Sequence, residues 1–282
     1  MRPAAGSRSA DWLERARHVL SLVWVVAILA LALFPVYLVF MVSVAPGSAL
    51  FGERPALLVT QPTLRFWRRV VERGDLWSPL LKSLTVATAT TALALLVASP
   101  AAYAISRLPT RLGRAIVLAL LATRMLPEFA IGVSVATRFA RLGLVDDYVG
   151  LVLAHLIGSL PFIAWLLVGT FEGIPRDLEE AAALDGASRG AALCRIVLPV
   201  ARPGIAVASL FVWLYSWNEF LYARLLTTSQ NTLPLQVFEA IDRGTKQHMA
   251  TVAAVLVLPI FVVVAVFQRY LRPAALAGAI KG

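Results

Sequence analysis

Apolar residues in this chain gather into six long runs, and only two of the polar segments between them are sizeable. The runs cover roughly Val19–Ser43, Ser83–Ser106, Ala115–Ala136, Val149–Phe171, Ile205–Leu226 and Met249–Tyr270. A bilayer core about 30 Å thick takes about 20 apolar residues in helical form, so each run has the reach of a transmembrane span, the last being among the short ones. Within lipid a lone spanning segment satisfies its own backbone only as a helix, which predicts an all-α integral membrane protein with six transmembrane helices. The first run is too long for the apolar part of a signal peptide, and no small-residue cleavage site follows it cleanly, so it reads as a retained span. The layout is then a tail over 1–18, a membrane body over 19–271 and a tail over 272–282, with polar segments at 44–82 and 172–204.

Composition agrees with the runs. Of 282 residues 59% are hydrophobic and only 15% charged, against about 25% charged in an ordinary soluble domain. The net charge of +10 raises nucleic acid as a partner. Yet the basic residues are scattered through loops without aromatic interleaving, which suits anionic lipid headgroups instead. Of the 26 Lys and Arg, 14 fall inside and 11 outside if the N-terminus is cytoplasmic, with Arg124 within a span. Six of the outside residues sit in the 44–82 loop and count against this orientation. The remaining outer loops are poor in bases, and Arg8, Arg15 and Arg17 crowd the first span. The balance places both termini and the 172–204 segment in the cytoplasm. In the 44–82 loop, Leu64-Arg65-Phe66-Trp67-Arg68-Arg69-Val70-Val71 has helical apolar spacing. It reads either as an interfacial helix with Trp67 at the headgroups or as a surface for an external protein.

The 172–204 segment is polar and built to fold. Pro175 suits a helix start, and Asp177, Glu179 and Glu180 fall in the first turns, where the positive end of the helix dipole favours carboxylates. Ala181, Ala182, Ala183 and Leu184 are strong helix formers, and Gly186 can take the positive φ that closes a helix. A second helix from about Ser188 to Pro199 follows, and Pro203 starts the next span. The result is a short helix-turn-helix with small side chains near its tip, where another surface can approach the backbone. On these residues alone it could equally be an amphipathic loop lying on the membrane.

The pattern Glu180-Ala181-Ala182, Gly186, Ile196, Leu198-Pro199, with no gap, resembles the permeases of ABC importers. Two further stretches resemble the carbohydrate-uptake, maltose-type branch: Trp217-Asn218-Glu219-Phe220-Leu221 with Thr232-Leu233-Pro234, and Gln268-Arg269-Tyr270 with the end Gly278-Ala279-Ile280-Lys281-Gly282. The resemblance runs from about residue 80 onward. It implies a permease subunit in a bacterial cytoplasmic membrane whose helix between spans four and five is a coupling helix fitting a cleft on a separate ATPase. The residues implied to meet that ATPase are Glu179, Glu180, Ala181, Ala182, Leu184, Asp185, Gly186, Ala187 and Ser188, with Ala279, Lys281 and Gly282 reaching it from the C-terminus. An ATPase dimer, a second and distinct permease and an extracytoplasmic solute-binding protein are the implied partners.

Energy must come from another chain. The three lysines follow Leu81, Thr245 and Ile280, so the Gly-Lys pair of a phosphate-binding loop does not occur. ATP and magnesium are therefore expected on the partner, with no cofactor in this chain. His18, His155 and His248 are far apart, no metal-ligand spacing occurs, and the single Cys194 excludes an internal disulfide.

Charges within spans usually face a bundle interior or cavity. Arg124 and Glu128 are four apart, which predicts a shared helix face and either an ion pair or a lining of the solute path. Asn218 and Glu219, flanked by Trp213, Tyr215, Trp217 and Tyr222, suit sugar hydroxyls or serve as interfacial belt and interhelical glue. His155 with Pro161 reads as a packing and kink feature rather than a proton relay. The alternatives to a carbohydrate importer are a permease for another solute and a self-sufficient secondary transporter, against which the buried charges are few and no inverted repeat is evident.

Overall fold

The computed structural model describes residues 6–47, 58–74 and 76–279, and among them every regular element is a helix. The chain divides into two compact units, Met1–Glu72 with Gly244–Ala254 and Arg73–Arg243 with Val255–Gly282.

In the first unit α1, Gly6–Val44, carries no charged residue from Val19 onward and is apolar on every side there, and its side chains from Val19 to Leu33 are exposed. A helix with no polar face needs lipid or protein around it. α2, Arg65–Arg73, forms where the apolar spacing predicts it. Trp67 Nε1 donates to Ser43 Oγ at 3.1 Å, Thr63 N donates to Val44 O at 2.8 Å, and Val70 is buried. The loop helix is thus tied to the end of the first span, while Arg65 and Arg68 stay exposed.

The second unit is built on α3, Trp77–Ser106, and α6, Tyr148–Glu172, with α9, Arg202–Trp217, against both. Ala94, Ala98 and Ala102 recur every fourth residue on α3 and are buried with Ile163, Leu167 and Phe171 of α6 and Ala208 and Val212 of α9. Without a hydrophobic drive between helices in lipid, such small residues supply association by letting backbones approach.

Two of the expected spans are not single helices. The run Ala115–Ala136 is α4, Thr110–Ala122, a 3₁₀ turn at Thr123–Met125 and α5, Glu128–Arg141, with a bend of 85°. Pro127 is the cause: its ring drives Leu126 out of the helical region to ψ 140°. The run Ile205–Leu226 is α9 and then α10, Leu221–Leu226, separated at Asn218–Phe220. Four helices are long and apolar enough to cross a membrane, and up to six spans result if two bent pairs, Thr110–Met125 with Glu128–Arg141 and Arg189–Val200 with Arg202–Trp217, each count as one.

After α10 come α11, Leu233–Arg243, and α12, Lys246–Ala279. The ends of α5 and α10 meet at Asp146, which holds φ 62°. Its N–H donates to Leu226 O at 2.7 Å, and its carboxylate accepts from Thr228 N at 2.8 Å, Ser229 N at 2.9 Å and the Thr228 hydroxyl. Burial alone would raise this carboxyl, but those donors more than offset it and hold it well below the usual carboxylate range. A lowered folded-state pKa stabilises above the unfolded value and loses that contribution as pH falls through the folded value. Asp146→Asn is therefore expected to lower the melting temperature at pH 7, by an amount that shrinks below about pH 4, in paired thermal melts across pH. A pH-independent difference would contradict an ionised Asp146.

Candidate functional site

The loop between α6 and α9 folds as α7, Asp177–Leu184, a turn at Asp185–Ser188, and α8, Arg189–Val200. α7 is closed by two bonds, Gly186 N to Ala183 O at 3.0 Å and Ala187 N to Ala182 O at 2.9 Å. This is the Schellman arrangement, and Gly186 takes the left-handed φ of 84° that it requires. Ser188 then caps α8, its Oγ accepting from Ala191 N at 3.3 Å. Pro199 has no N–H to offer the carbonyl four residues back, and the turn Leu193–Val197 before it widens into a π-helix. α8 meets α9 at 78°.

The hairpin presents an open tip. Leu184 is 92% exposed, far beyond what a leucine in a polar loop needs, and Glu180, Ala181, Asp185, Gly186 and Ser188 are exposed around it. Nothing lies within 4 Å of where a Gly186 Cβ would stand. Ala182 is buried and Ala187 half-buried, so these two pack the hairpin rather than line its tip.

Glu179 also turns inward. Its carboxylate accepts from Arg107 Nε at 2.9 Å, from Arg107 Nη2 and from the Tyr103 hydroxyl. Arg107 lies just past the end of α3, and its Nη1 also donates to Phe171 O in the last turn of α6 at 3.1 Å. Burial pushes the Glu179 carboxyl up, but hydrogen bonds from Arg107 and Tyr103 and the charges of Arg107 and Arg176 prevail and hold it below its ordinary value. In sequence Arg107 is 72 residues away, and nothing in the spacing of the polar loop points to it.

The polar groups within the spans are distributed differently from the helical-face expectation. Arg124 lies in the 3₁₀ turn and Glu128 opens α5 beyond the bend, so they share no helix face, and no ion pair joins them among the described residues. Tyr215 of α9 stands between them. Its hydroxyl donates to Glu128 Oε1 at 2.8 Å, and the Arg124 guanidinium lies 5.5 Å over its ring while donating to Gly158 O. Arg124, Gly158, Phe162, Phe211 and Tyr215 help line a cavity of about 330 Å³.

Trp213 and Trp217 stack with ring centroids 4.9 Å apart, and Trp217, wholly buried, donates from Nε1 to Leu256 O of α12 at 3.1 Å. Asn218 is exposed and turns back to Leu214 O. Glu219 is buried, and its carboxylate accepts from Tyr222 N at 2.7 Å and Ala223 N at 3.1 Å, capping α10. His155 of α6 joins the same cluster. Its Nδ1 is 2.7 Å from Ser216 Oγ, and Nε2 is 3.1 Å from Glu219 Oε2. Of the C-terminal residues, Ala279 ends α12, while Lys281 and Gly282 lie outside the described residues.

Residues 91–276 match the family described as binding-protein-dependent transport system inner membrane component. The trehalose transport system permease protein SugB of Mycobacterium tuberculosis is 33% identical over 258 residues, covering 89% of this chain and 93% of that protein. The trehalose/maltose transport system permease protein MalG of Thermococcus litoralis is 29% identical over 276 residues, covering 95% and 99%. In fold the chain resembles a crystal structure of a bacterial ABC transporter involved in the import of the acidic polysaccharide alginate. The TM-score is 0.74 at 21% identity, over 95% of this chain and 99% of that one.

Proposed function

This chain belongs to the family of binding-protein-dependent transport system inner membrane components, and on that premise we propose that it forms part of the membrane pathway for a carbohydrate. It is a membrane-embedded permease subunit and not an enzyme. The carbohydrate assignment is carried by the relatives named for trehalose and maltose, which align along nine-tenths of its length.

In this reading α7 is the coupling helix, and Leu184, with Glu180 and Asp185 beside it, enters a cleft on a partner ATPase that binds ATP and magnesium. Fully burying a leucine stabilises by about 1.5–3 kcal/mol, enough to make one exposed side chain a docking anchor. Both termini and the α7–α8 hairpin face the cytoplasm, a second permease completes the pathway, and an extracytoplasmic binding protein delivers the solute. The cavity lined by Arg124 and Tyr215, whose hydroxyl is bonded to Glu128, is where this chain offers the passing solute hydrogen bonds and an aromatic face. Trp217 is committed to an interhelical bond and Glu219 to capping α10.

The test is reconstitution of the chain with its ATPase, second permease and binding protein in vesicles. Uptake of labelled trehalose or maltose is expected only with ATP and the binding protein together. Uptake without ATP would replace this reading with a self-sufficient transporter, and ATP-driven uptake of a non-sugar solute alone would replace the substrate class. A tag near Asp185 reachable only from the extracytoplasmic face would overturn the orientation.

A further inference from the structure

We infer that Arg107 is a positioning residue that ties α7 to two spans at once, so that displacement of α7 carries the cytoplasmic ends of α3 and α6 together. The inference rests on the reading of α7 as the ATPase contact and adds where its motion goes. Chain connectivity links α7 to α6 through Gly173–Arg176 and to α9 through α8. Neither connection includes α3.

The link to α3 is made by side chains. Glu179, on the inner side of α7, receives two bonds from Arg107 and one from Tyr103. Arg107 is spent in three directions: Nε and Nη2 toward Glu179, and Nη1 toward both Phe171 O of α6 and Ser106 Oγ at the end of α3. Its guanidinium also lies 5.3 Å from the Tyr103 ring centre. The Arg107 and Glu179 side chains are only 18% and 15% exposed, so water competes little for these bonds. A planar guanidinium with five donors can hold three elements in fixed relation, whereas a lysine ammonium on a flexible stem cannot reproduce that fork.

Solute uptake and ATP hydrolysis, measured side by side in the reconstituted importer, distinguish transmission from mere folding. Hydrogen bonds to charged groups contribute about 1.5–3 kcal/mol, so Arg107→Ala is expected to lower uptake about tenfold or more. Hydrolysis should fall much less, raising the ATP spent per solute moved. Arg107→Lys should be intermediate, and Arg107→Ala with Glu179→Gln should be no worse than Arg107→Ala alone, because both remove the same link. Tyr103→Phe removes one hydroxyl and keeps the test open if Arg107→Ala fails to insert; its expected outcome is a smaller rise in the same ratio. An unchanged ratio in Tyr103→Phe and Glu179→Gln, or uptake and hydrolysis falling in parallel throughout, overturns the inference. Leu184→Asp separates the two levels. If it keeps normal uptake, the reading of α7 fails; if it loses uptake while the Arg107 variants keep the normal ratio, only the transmission role fails.

Discussion

A Gly186→Trp variant is expected to insert normally and to lose nearly all ATP-driven uptake. Two effects combine at this position. The left-handed φ of 84° costs a non-glycine residue about 1–2 kcal/mol, which weakens the closure of α7. The indole then projects into the open space beside Leu184, where the proposed ATPase surface would lie. A graded series separates the two. Asn tolerates the left-handed region, so Gly186→Asn is expected to keep most uptake, while Gly186→Ala shows the backbone cost alone. Leu184→Asp leaves the backbone untouched and removes the anchor. Losing about 1.5–3 kcal/mol of burial corresponds to about 10- to 100-fold weaker ATPase association, measurable by co-purification. Normal uptake by Gly186→Trp would sink the docking role of this corner.

The hairpin was readable because its signals are local. Acidic residues at a helix start, an alanine run, a glycine after the last turn and a serine three residues before a free N–H each act within one or two turns. The apolar runs were equally readable, since lipid enforces helix wherever backbone crosses it. Sequence spacing failed where a side chain competes with helix continuation. Pro127 lay in plain view inside the third run, yet its power to bend the chain by 85° depends on whether neighbours re-satisfy the freed carbonyls. Treating the run as one helix put Arg124 and Glu128 on a common face and suggested an ion pair. The bend instead lets Tyr215 come between them. Glu179 was legible as a dipole-compensating acid but not as a clamp, because Arg107 and Tyr103 reach it only once α3 and α6 have packed.

The second large effect is expected at Glu219, and it discriminates between a path-lining role and a structural one. In the fifth run a continuous helix would have left this carboxylate on a helix flank, free to meet a solute. Instead it is buried, receives the Tyr222 and Ala223 N–H groups and lies 3.1 Å from the ring of His155. Losing a helix cap costs about 0.5–2 kcal/mol, and each buried donor left without an acceptor costs about 1–3 kcal/mol. Glu219→Leu is therefore expected to lower stability by about 2–4 kcal/mol, read as a large fall in melting temperature and in the amount of folded chain recovered. Glu219→Gln keeps one oxygen, an acceptor for one of the two N–H groups, and is expected to recover part of that loss. Both variants act on transport through how much protein folds, so uptake per folded chain should stay near normal in Glu219→Gln. A Glu219→Leu protein as stable as the parent would remove the capping role. A Glu219→Gln protein of normal stability whose uptake saturates at a shifted solute concentration would instead return this carboxylate to the pathway.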